Sequence, residues 1–566
     1  MGKTILKILA GIIVGLAVIV YFSYDYWLEK KLKYQLSEII NKDPNSLYEY
    51  SFSKLNIHLM EGSVDLKGIK IRPTETAYDS LANEENGVRF LLNLNMEEIK
   101  LKGFEITKFL TTGIISAESL TITEPVFDYF FHPRKKKANS TLPLNSIFSD
   151  KFVEANLGVF SIENAQIKII DQTRSGPAIL IHHMDFELTK AHINSTTLQR
   201  FSPFDYEDIK IVAAGINIDA SENFSIKSDS LRFRVKDETI LIKNFQVNPK
   251  LGQKRFANKY QVQKQWFAIT LDELVLNQID FDSFVESGLV DIGKIELKSP
   301  NIGLYKDKSK PPPPFKRKLL PASAIKTIPW ALSIDTVVIT NGFVTINETS
   351  ALTSKDSHLT LNKLNATVYN FTNDSGSKKN NPIMELNAAS QVMGVAATQI
   401  NMKFDLNSKI DEFSVHGSVG SVSGKTFNPV LEPMMAIRVT AGMVNHIEFS
   451  FTAMDTLSRG TLDADYKGMK LEVFKADSTA KKHHKQGLLS FAANTVVKSN
   501  NNKGRTNYIQ GVIKSERVQE KDVWPYLWHS IQSGLVSTLV PVTNKKDAKQ
   551  QQKQFRKDLR KDKKAK

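Results

Sequence analysis

From Tyr50 onward apolar and polar positions alternate one for one along most of the chain. The segments LNIHL, SVDLKGIKI, LNLNMEEIKLKGFEI, SLTITEPVFDYF, AQIKII, LRFRV, TILIKNFQV, IGKIELKSPNIGLY and VVITNGFVTI are rich in β-branched and aromatic residues and are broken by Gly, Asn, Asp and Pro. Successive side chains of a strand point to opposite faces, so this period of two predicts half-buried antiparallel strands. Helical periodicity is short within this body, and TKFLTT is its best case.

The period of two fails at both ends. Ile8 to Tyr24 carries no charge, and Tyr21, Phe22, Tyr24, Tyr26 and Trp27 form an aromatic belt at its far edge. Bulky aromatics rather than a small-residue cleavage site follow the apolar run, which predicts an uncleaved transmembrane anchor over 1–28. Lys3 and Lys7 precede the span and Lys30, Lys31 and Lys33 follow it, so the charge rule for orientation is divided. Leu28, Leu32, Leu36 and Ile39 extend the helix as a stem, assigned to 29–50, until Asp43-Pro44 stops it. Near the other end Leu527, Ile531, Leu535 and Leu539 share one face, with Trp524 and Trp528 beside it. This predicts an amphipathic helix within 516–542, which either caps a sheet edge or lies in a membrane interface.

The chain also matches itself. Setting Met96 on Leu271 pairs MEEIKLKGFEITKFLTTGIISAESLTITEPVFDYF with LDELVLNQIDFDSFVESGLVDIGKIELKSPNIGLY without a gap, and brings Phe109 onto Phe284, Gly113 onto Gly288 and Pro125 onto Pro300. Setting Leu55 on Leu231 pairs LNIHLMEGSVDLKGIKIRP with LRFRVKDETILIKNFQVNP, and setting Ile162 on Ile339 pairs IENAQIKI with ITNGFVTI. Three nearly equal offsets in sequential order predict two tandem copies of one β-rich unit, 51–228 and 229–412. A strand-rich terminal module, 413–515, continues the alternation with more Gly. In each copy the matched block is followed by a basic loop: Arg134 to Lys137 in the first, and KDKSKPPPPFKRK in the second.

Composition removes several chemistries. With 566 residues and no cysteine, the chain has no disulfide, thiolate metal site or Cys nucleophile. About half of the net charge of +15 lies in a tail over 543–566, where Lys545 to Lys566 holds eleven basic and three acidic residues. Such a tail is either a solvated, disordered segment or an electrostatic attachment to anionic lipid. Nucleic acid is not the expected partner, because no stacking aromatics are interleaved and no nucleic-acid module precedes the tail. His182-His183 and His483-His484 are the clustered histidines, and neighbours on a strand point apart, so no metal site is expected. The Gly417, Gly420, Gly424 run lacks the ending of a phosphate loop. No hydrolase elbow or zinc-protease motif occurs, so neither enzyme activity nor a cofactor is expected.

The N-terminal anchor, the entry YEYSFSKLNIHLMEGSVDLKGIKIRP, the repeated LxIxxP strands and the terminal FNPVLEP, AGMV, GTLDADYKGMKL, LLSFAANTVV and WPYLWHSIQSGL segments resemble the AsmA-like envelope proteins of bacteria. The resemblance implies a β groove anchored in the inner membrane, with the bulk of the chain periplasmic, that takes part in phospholipid movement and membrane homeostasis. It offers no catalytic residues. The expected fold is mainly β, an elongated, curled antiparallel sheet built from tandem repeats. At about 4.8 Å per strand, some 20 strands would form a groove of roughly 100 Å. Its expected lining is Ile99, Leu101, Ile122, Leu274, Leu276 and Leu297. Expected membrane contacts are Trp524, Trp528, Lys545, Lys546, Arg556 and Arg560. Phospholipid or membrane, together with other envelope proteins, are then the partners; a non-catalytic scaffold of closed β-sandwiches is the alternative.

Overall fold

A computed structural model of the protein describes residues 47–58, 61–83, 88, 90–132, 154–173, 176–197, 204–473 and 497–539. The expected anchor, the stem up to residue 46, the Arg134–Lys137 loop, His483-His484, the LLSFAANTV segment and the basic tail lie outside the described residues. No helix of the described residues is long and apolar enough to cross a membrane.

The fold is mainly β, with 23 strands assigned to one mixed sheet. The first part of the chain forms β1 (Tyr48–Ser51), β2 (Lys54–His58), β3 (Ser63–Pro73), helix α1 (Glu75–Ala82) and β4 (Phe90–Lys102). Helix α2 (Ile106–Thr112), β5 (Ile114–Thr123), β6 (Val126–Phe131), β7 (Glu154–Asp171), β8 (Pro177–Asn194), β9 (Asp208–Ile218), β10 (Phe224–Arg234) and β11 (Thr239–Pro249) follow. Next come α3 (Gln253–Asn258), β12 (Gln265–Asp280), α4 (Phe281–Ser287), β13 (Val290–Lys298), β14 (Asn301–Asp307), α5 (Pro321–Lys326), β15 (Leu332–Thr349) and β16 (Asp356–Thr372). The last part holds α6 (Ser375–Asn380), β17 (Ile383–Val392), β18 (Ala396–Asp405), β19 (Phe413–Val419), β20 (Val422–Ser423) and α7 (Asn428–Met435). It ends with β21 (Ile437–Ala453), β22 (Leu457–Val473), β23 (Gly511–Glu516) and α8 (Val523–Leu539).

Two features correct the sequence reading. The sheet is mixed rather than antiparallel: β7 runs parallel to β5 and β6, and β15 runs parallel to β14. Parallel neighbours need a crossover of about a dozen residues or more. Residues 308–331, which include the second basic loop, connect β14 to β15, and alternation alone does not report strand direction. The second feature is α7, within a stretch whose alternation predicts strand. Pro429 opens this helix, and Ala436, in the left-handed region at φ 55°, closes it.

Several long strands carry a left-handed residue at mid-length. Asn164, Gly215, Asn244, Gln278, Asn341, Lys363 and Gly468 have φ between 50° and 66°. At each one the apolar positions change parity, as in Phe160 and Ile162 followed by Ala165 and Ile167 across Asn164. The register shifts there, between Ile162 and Ala165 on β7 and between Ile339 and Gly342 on β15. A bulge of this kind re-aims the following side chains, so both halves of a strand keep their apolar residues on one side. Left-handed positions recur in pairs at the offset of the sequence match: Gly103 and Gln278, Gly113 and Gly288, Glu124 and Ser299, Asn164 and Asn341.

The chain divides into two compact units, one comprising Met1–Lys250 and Thr270–Ile295, the other Leu251–Ile269 and Glu296–Lys566. Residues 228 and 229, the expected junction of the two copies, lie within β10. Unit 1 has a closed core in which Leu55, Val64, Leu94, Leu120 and Phe160 are buried. The core of unit 2 gathers Met402, Phe404, Phe413, Val415, Phe449, Phe451, Leu462, Ile513, Tyr526 and Leu527. Helix α8 lies on β22 and β23. A Cβ on Gly511 would collide with the Gly534 carbonyl oxygen, so helix and strand backbones touch where both residues lack a side chain.

Candidate functional site

Beyond its closed core, the sheet of unit 1 carries apolar residues in cross-strand rows. One row runs Phe186, Ile211, Phe233, Ile240 over β8 to β11. A second runs Tyr129, Ile169, Ile179, Ile218, Ile226, Val247 over β6 to β11. Every one of these residues is half-buried. On the reverse face Glu187, Lys210, Arg232 and Arg234 are exposed. Helices α1 and α2 pack on β3, β4 and β5. At one end of the first row a helix approaches, where the Phe281 ring of α4 stands edge-on to Phe233 at 5.2 Å. The rows therefore form an apolar strip that the described helices leave largely uncovered, which is the arrangement an apolar ligand needs.

Ion pairs at the strand ends there form a charged rim. Arg234 Nε donates to Asp208 Oδ2 at 2.8 Å, and Glu207 pairs with Lys190 at 2.5 Å and Lys236 at 2.6 Å. Burial works against ionisation of Asp208, but Arg234 and the Lys236 amide together hold its pKa below the usual value. Hydrogen bonds from Lys190 and then Lys236 hold Glu207 down to about 2. Because this folded value lies below the unfolded one, the pairing contributes above the ordinary Glu pKa and is lost as pH falls through about 2. The expected titration midpoint of Glu207, read from its side-chain carbonyl resonance, is about 2 in the native protein and moves toward the ordinary value in Lys190→Gln.

Unit 2 repeats the theme over a shorter span. Ile302, Val344, Leu361 and Val392 align across β14 to β17, and Leu304, Ile346 and Leu359 form the next row. All are half-buried except Val344, which is buried, and α7 packs on β16. From Val337 and Val368 the next lane passes through Leu386 into the closed core at Met402 and Val415.

The structure distributes the expected lining residues unevenly. Ile99, Leu101 and Ile122 are inside the core of unit 1 at 1–2% exposure. Leu274, Leu276 and Leu297 are half-buried. Sequence reasoning did not name the residues of the uncovered rows, because alternation marks the apolar face of a strand and not whether anything covers it. On α8, Leu527 is buried and Ile531, Leu535 and Leu539 pack on the core of unit 2, while Trp524 and Trp528 stand 61% and 46% exposed. Lys545, Lys546, Arg556 and Arg560 lie outside the described residues. Among the described residues no group of three His, Asp or Glu is placed to hold a metal ion. His183 hydrogen-bonds Asn164 Oδ1 at 2.8 Å and Asp185 Oδ2 at 2.9 Å. Gly417 serves packing, since a Cβ there would run into the Phe449 ring.

No protein-family model matches the chain, and no curated protein matches it.

Proposed function

We propose that this is a membrane-anchored, AsmA-like envelope protein that binds or conducts phospholipid along the uncovered apolar face of its sheet. The observation that carries the reading is the pair of half-buried rows on β8 to β11, backed by a charged reverse face. Acyl chains would lie on the rows, and head groups at the charged rim. The left-handed positions that recur at the offset of the sequence match support a duplicated unit, which extends such a surface by copying it. Trp524 and Trp528, exposed in the first turns of α8, suit a membrane interface. An anchor over 1–28, with the bulk of the chain periplasmic, completes the proposal.

The test is lipid mass spectrometry on full-length protein purified without detergent. Phospholipid should co-purify with the wild type, and Phe233→Asp with Ile211→Asp should reduce it at least tenfold while the melting temperature holds, since each large apolar contact is worth about 1.5–3 kcal/mol. A wild type free of phospholipid sinks the proposal. A scaffold of closed units is the second reading, favoured by the full burial of Ile99, Leu101 and Ile122. It predicts that the paired Asp substitutions change nothing but stability.

A further inference from the structure

We infer that one end of the sheet of unit 2, where the β18–β19 and β21–β22 turns, crossover residues 315–319 and the first turns of α8 come together, is a docking surface for the interface of an anionic bilayer. The inference deepens the proposed function by adding a membrane contact remote in sequence from the expected anchor, and it rests on that reading for the membrane itself.

Strand register brings the segments side by side. β18 meets β19 at Phe404 and Phe413, β19 meets β21 at Phe413 and Ala453, and β22 meets β21 at Ser458 and β23 at Glu516. Residues 406–412, 454–456 and 517–522 therefore leave the sheet at the same end. Hydrogen bonds tie them together. The Asp455 N–H donates to the Ile410 carbonyl at 3.2 Å, and the Lys318 N–H donates to the Gln519 carbonyl at 2.8 Å. Ser323 of α5 donates to Asp411 Oδ2 at 2.6 Å, and Asp455 receives both Arg317 and Arg517. The Tyr526 hydroxyl fixes the start of α8 here by donating to the Met454 carbonyl at 3.1 Å.

Segments that leave a sheet for solvent are ordinarily polar, and these are not. Of the fifteen large apolar side chains exposed among the described residues, six stand on them: Phe315, Leu319, Ile410, Val518, Trp524 and Trp528. Trp524 and Trp528 are four apart and share a face of α8, while Tyr526 and Leu527 between them turn into the core. Apolar tips held together on several segments can enter the head-group boundary at once, and Trp is enriched at that depth.

Charge then selects the occupant. Exposed Lys316, Lys318, Lys409 and Lys521 are balanced by Glu412, Glu516, Glu520 and Asp522, so the surface itself neither attracts nor repels anionic lipid. The attraction comes from the tail, with eleven basic residues against three acidic between Lys545 and Lys566. Twenty-seven residues follow Leu539. That much chain can extend roughly 90 Å against the roughly 25 Å of α8, so the basic residues can reach the membrane that the tryptophans touch. A partner protein could cover the same tips by shape, but the basic tail favours the bilayer.

The chain has no cysteine, so a single introduced thiol reports one place. Ile410→Cys and Val518→Cys are labelled with an environment-sensitive fluorophore in the full-length protein, with Val395→Cys, exposed at the opposite end of β18, as the control. Each is reconstituted into vesicles of phosphatidylglycerol or of phosphatidylcholine, with and without spin-labelled lipid. In phosphatidylglycerol the labels at 410 and 518 should shift to the blue and be quenched by the spin label, more than in phosphatidylcholine, and the label at 395 should stay in water. Phe315→Ser with Trp524→Ser, both at exposed positions, should hold the melting temperature and shift the equilibrium of the 410 label toward water at least about tenfold. Labels at 410 and 518 that stay in water, or that behave like the label at 395, overturn the inference and leave a protein partner as the occupant. Shielding that appears without vesicles and rises with protein concentration overturns it in favour of a second copy, and equal contact in the two lipids overturns the anionic assignment. Phospholipid that still co-purifies while the 410 label stays in water removes this surface and leaves the apolar rows standing. Membrane contact by a protein from which no phospholipid co-purifies does the reverse.

Discussion

Replacing Asp455 by Ala is expected to destabilise unit 2 by about 3–5 kcal/mol, the cost of stranding a buried charge. Asp455 lies in the turn between β21 and β22, and one carboxylate oxygen receives Arg517 Nη1 while the other receives Arg317 Nη2. The Arg517 side chain is fully shielded from solvent. Its second terminal nitrogen donates to the Lys318 carbonyl, and its Nε has no partner among the described residues. Losing the carboxylate would leave the guanidinium with a single carbonyl acceptor. Backbone bonds converge on the same place: Arg517 N–H donates to the Thr456 carbonyl at 2.8 Å, and Lys318 N–H donates to the Gln519 carbonyl at 2.8 Å. The clamp thus holds the proline-rich crossover against the segment that carries Lys521. Arg317, half exposed at its end of the clamp, should cost no more than about 1 kcal/mol as Ala. Arg517→Met, which removes the charge and keeps the volume, should cost less than Asp455→Ala. Denaturant unfolding of the four proteins checks the order, and an Asp455→Ala protein no weaker than Arg317→Ala would refute it.

Phe413→Ala is expected to cost a similar amount, about 3–5 kcal/mol, through the loss of a large buried ring and the cavity left behind. Phe413 is 2% exposed at the start of β19. Its ring stacks on Phe404 at 5.1 Å and meets Tyr526 of α8 edge-on at 6.4 Å. Strand and helix therefore share this residue. Tyr526 is buried in turn, with its hydroxyl donating to the Met454 carbonyl at 3.1 Å, and burial pushes its pKa up to about 12. Opening the cavity should expose the tyrosine, so Phe413→Ala should also lower its ionisation midpoint, read by ultraviolet titration. Phe413→Leu, which fills most of the space, should recover more than half of the stability. A loss below about 1 kcal/mol for the Ala variant would mean that the helix docks independently of this ring.

The strands were legible because an apolar face imposes a period of two whatever it packs against. The short helices α2 and α4 were legible for a local reason, since Gly113 and Gly288 adopt left-handed backbones, at φ 70° and 75°, that close a helix. Helix α7 was not, although NPVLEP places Pro429 in its first turn, because the alternating residues around it outweighed that cue. The mid-strand bulges left a trace that could have been read: the apolar positions jump by three, from Ile162 to Ala165 and from Leu361 to Leu364, at Asn164 and Lys363.

What the chain alone determined is the material of the fold. It set the number and location of most strands, the apolar side of each, the amphipathic character of α8, and the absence of thiol chemistry. Tertiary structure decided which apolar faces are fully buried and which, among the described residues, are half-buried. Ile122 and Phe233 occupy similar alternating contexts, yet Ile122 is 1% exposed and Phe233 half-buried. Alternation is a property of one strand, whereas burial depends on what lies over the sheet. The same holds for charge. Arg317, Asp455 and Arg517 are ordinary charged residues in the sequence and stand far apart along it. They meet in one clamp because the turn between β21 and β22 sets Asp455 between the crossover after β14 and the segment before α8.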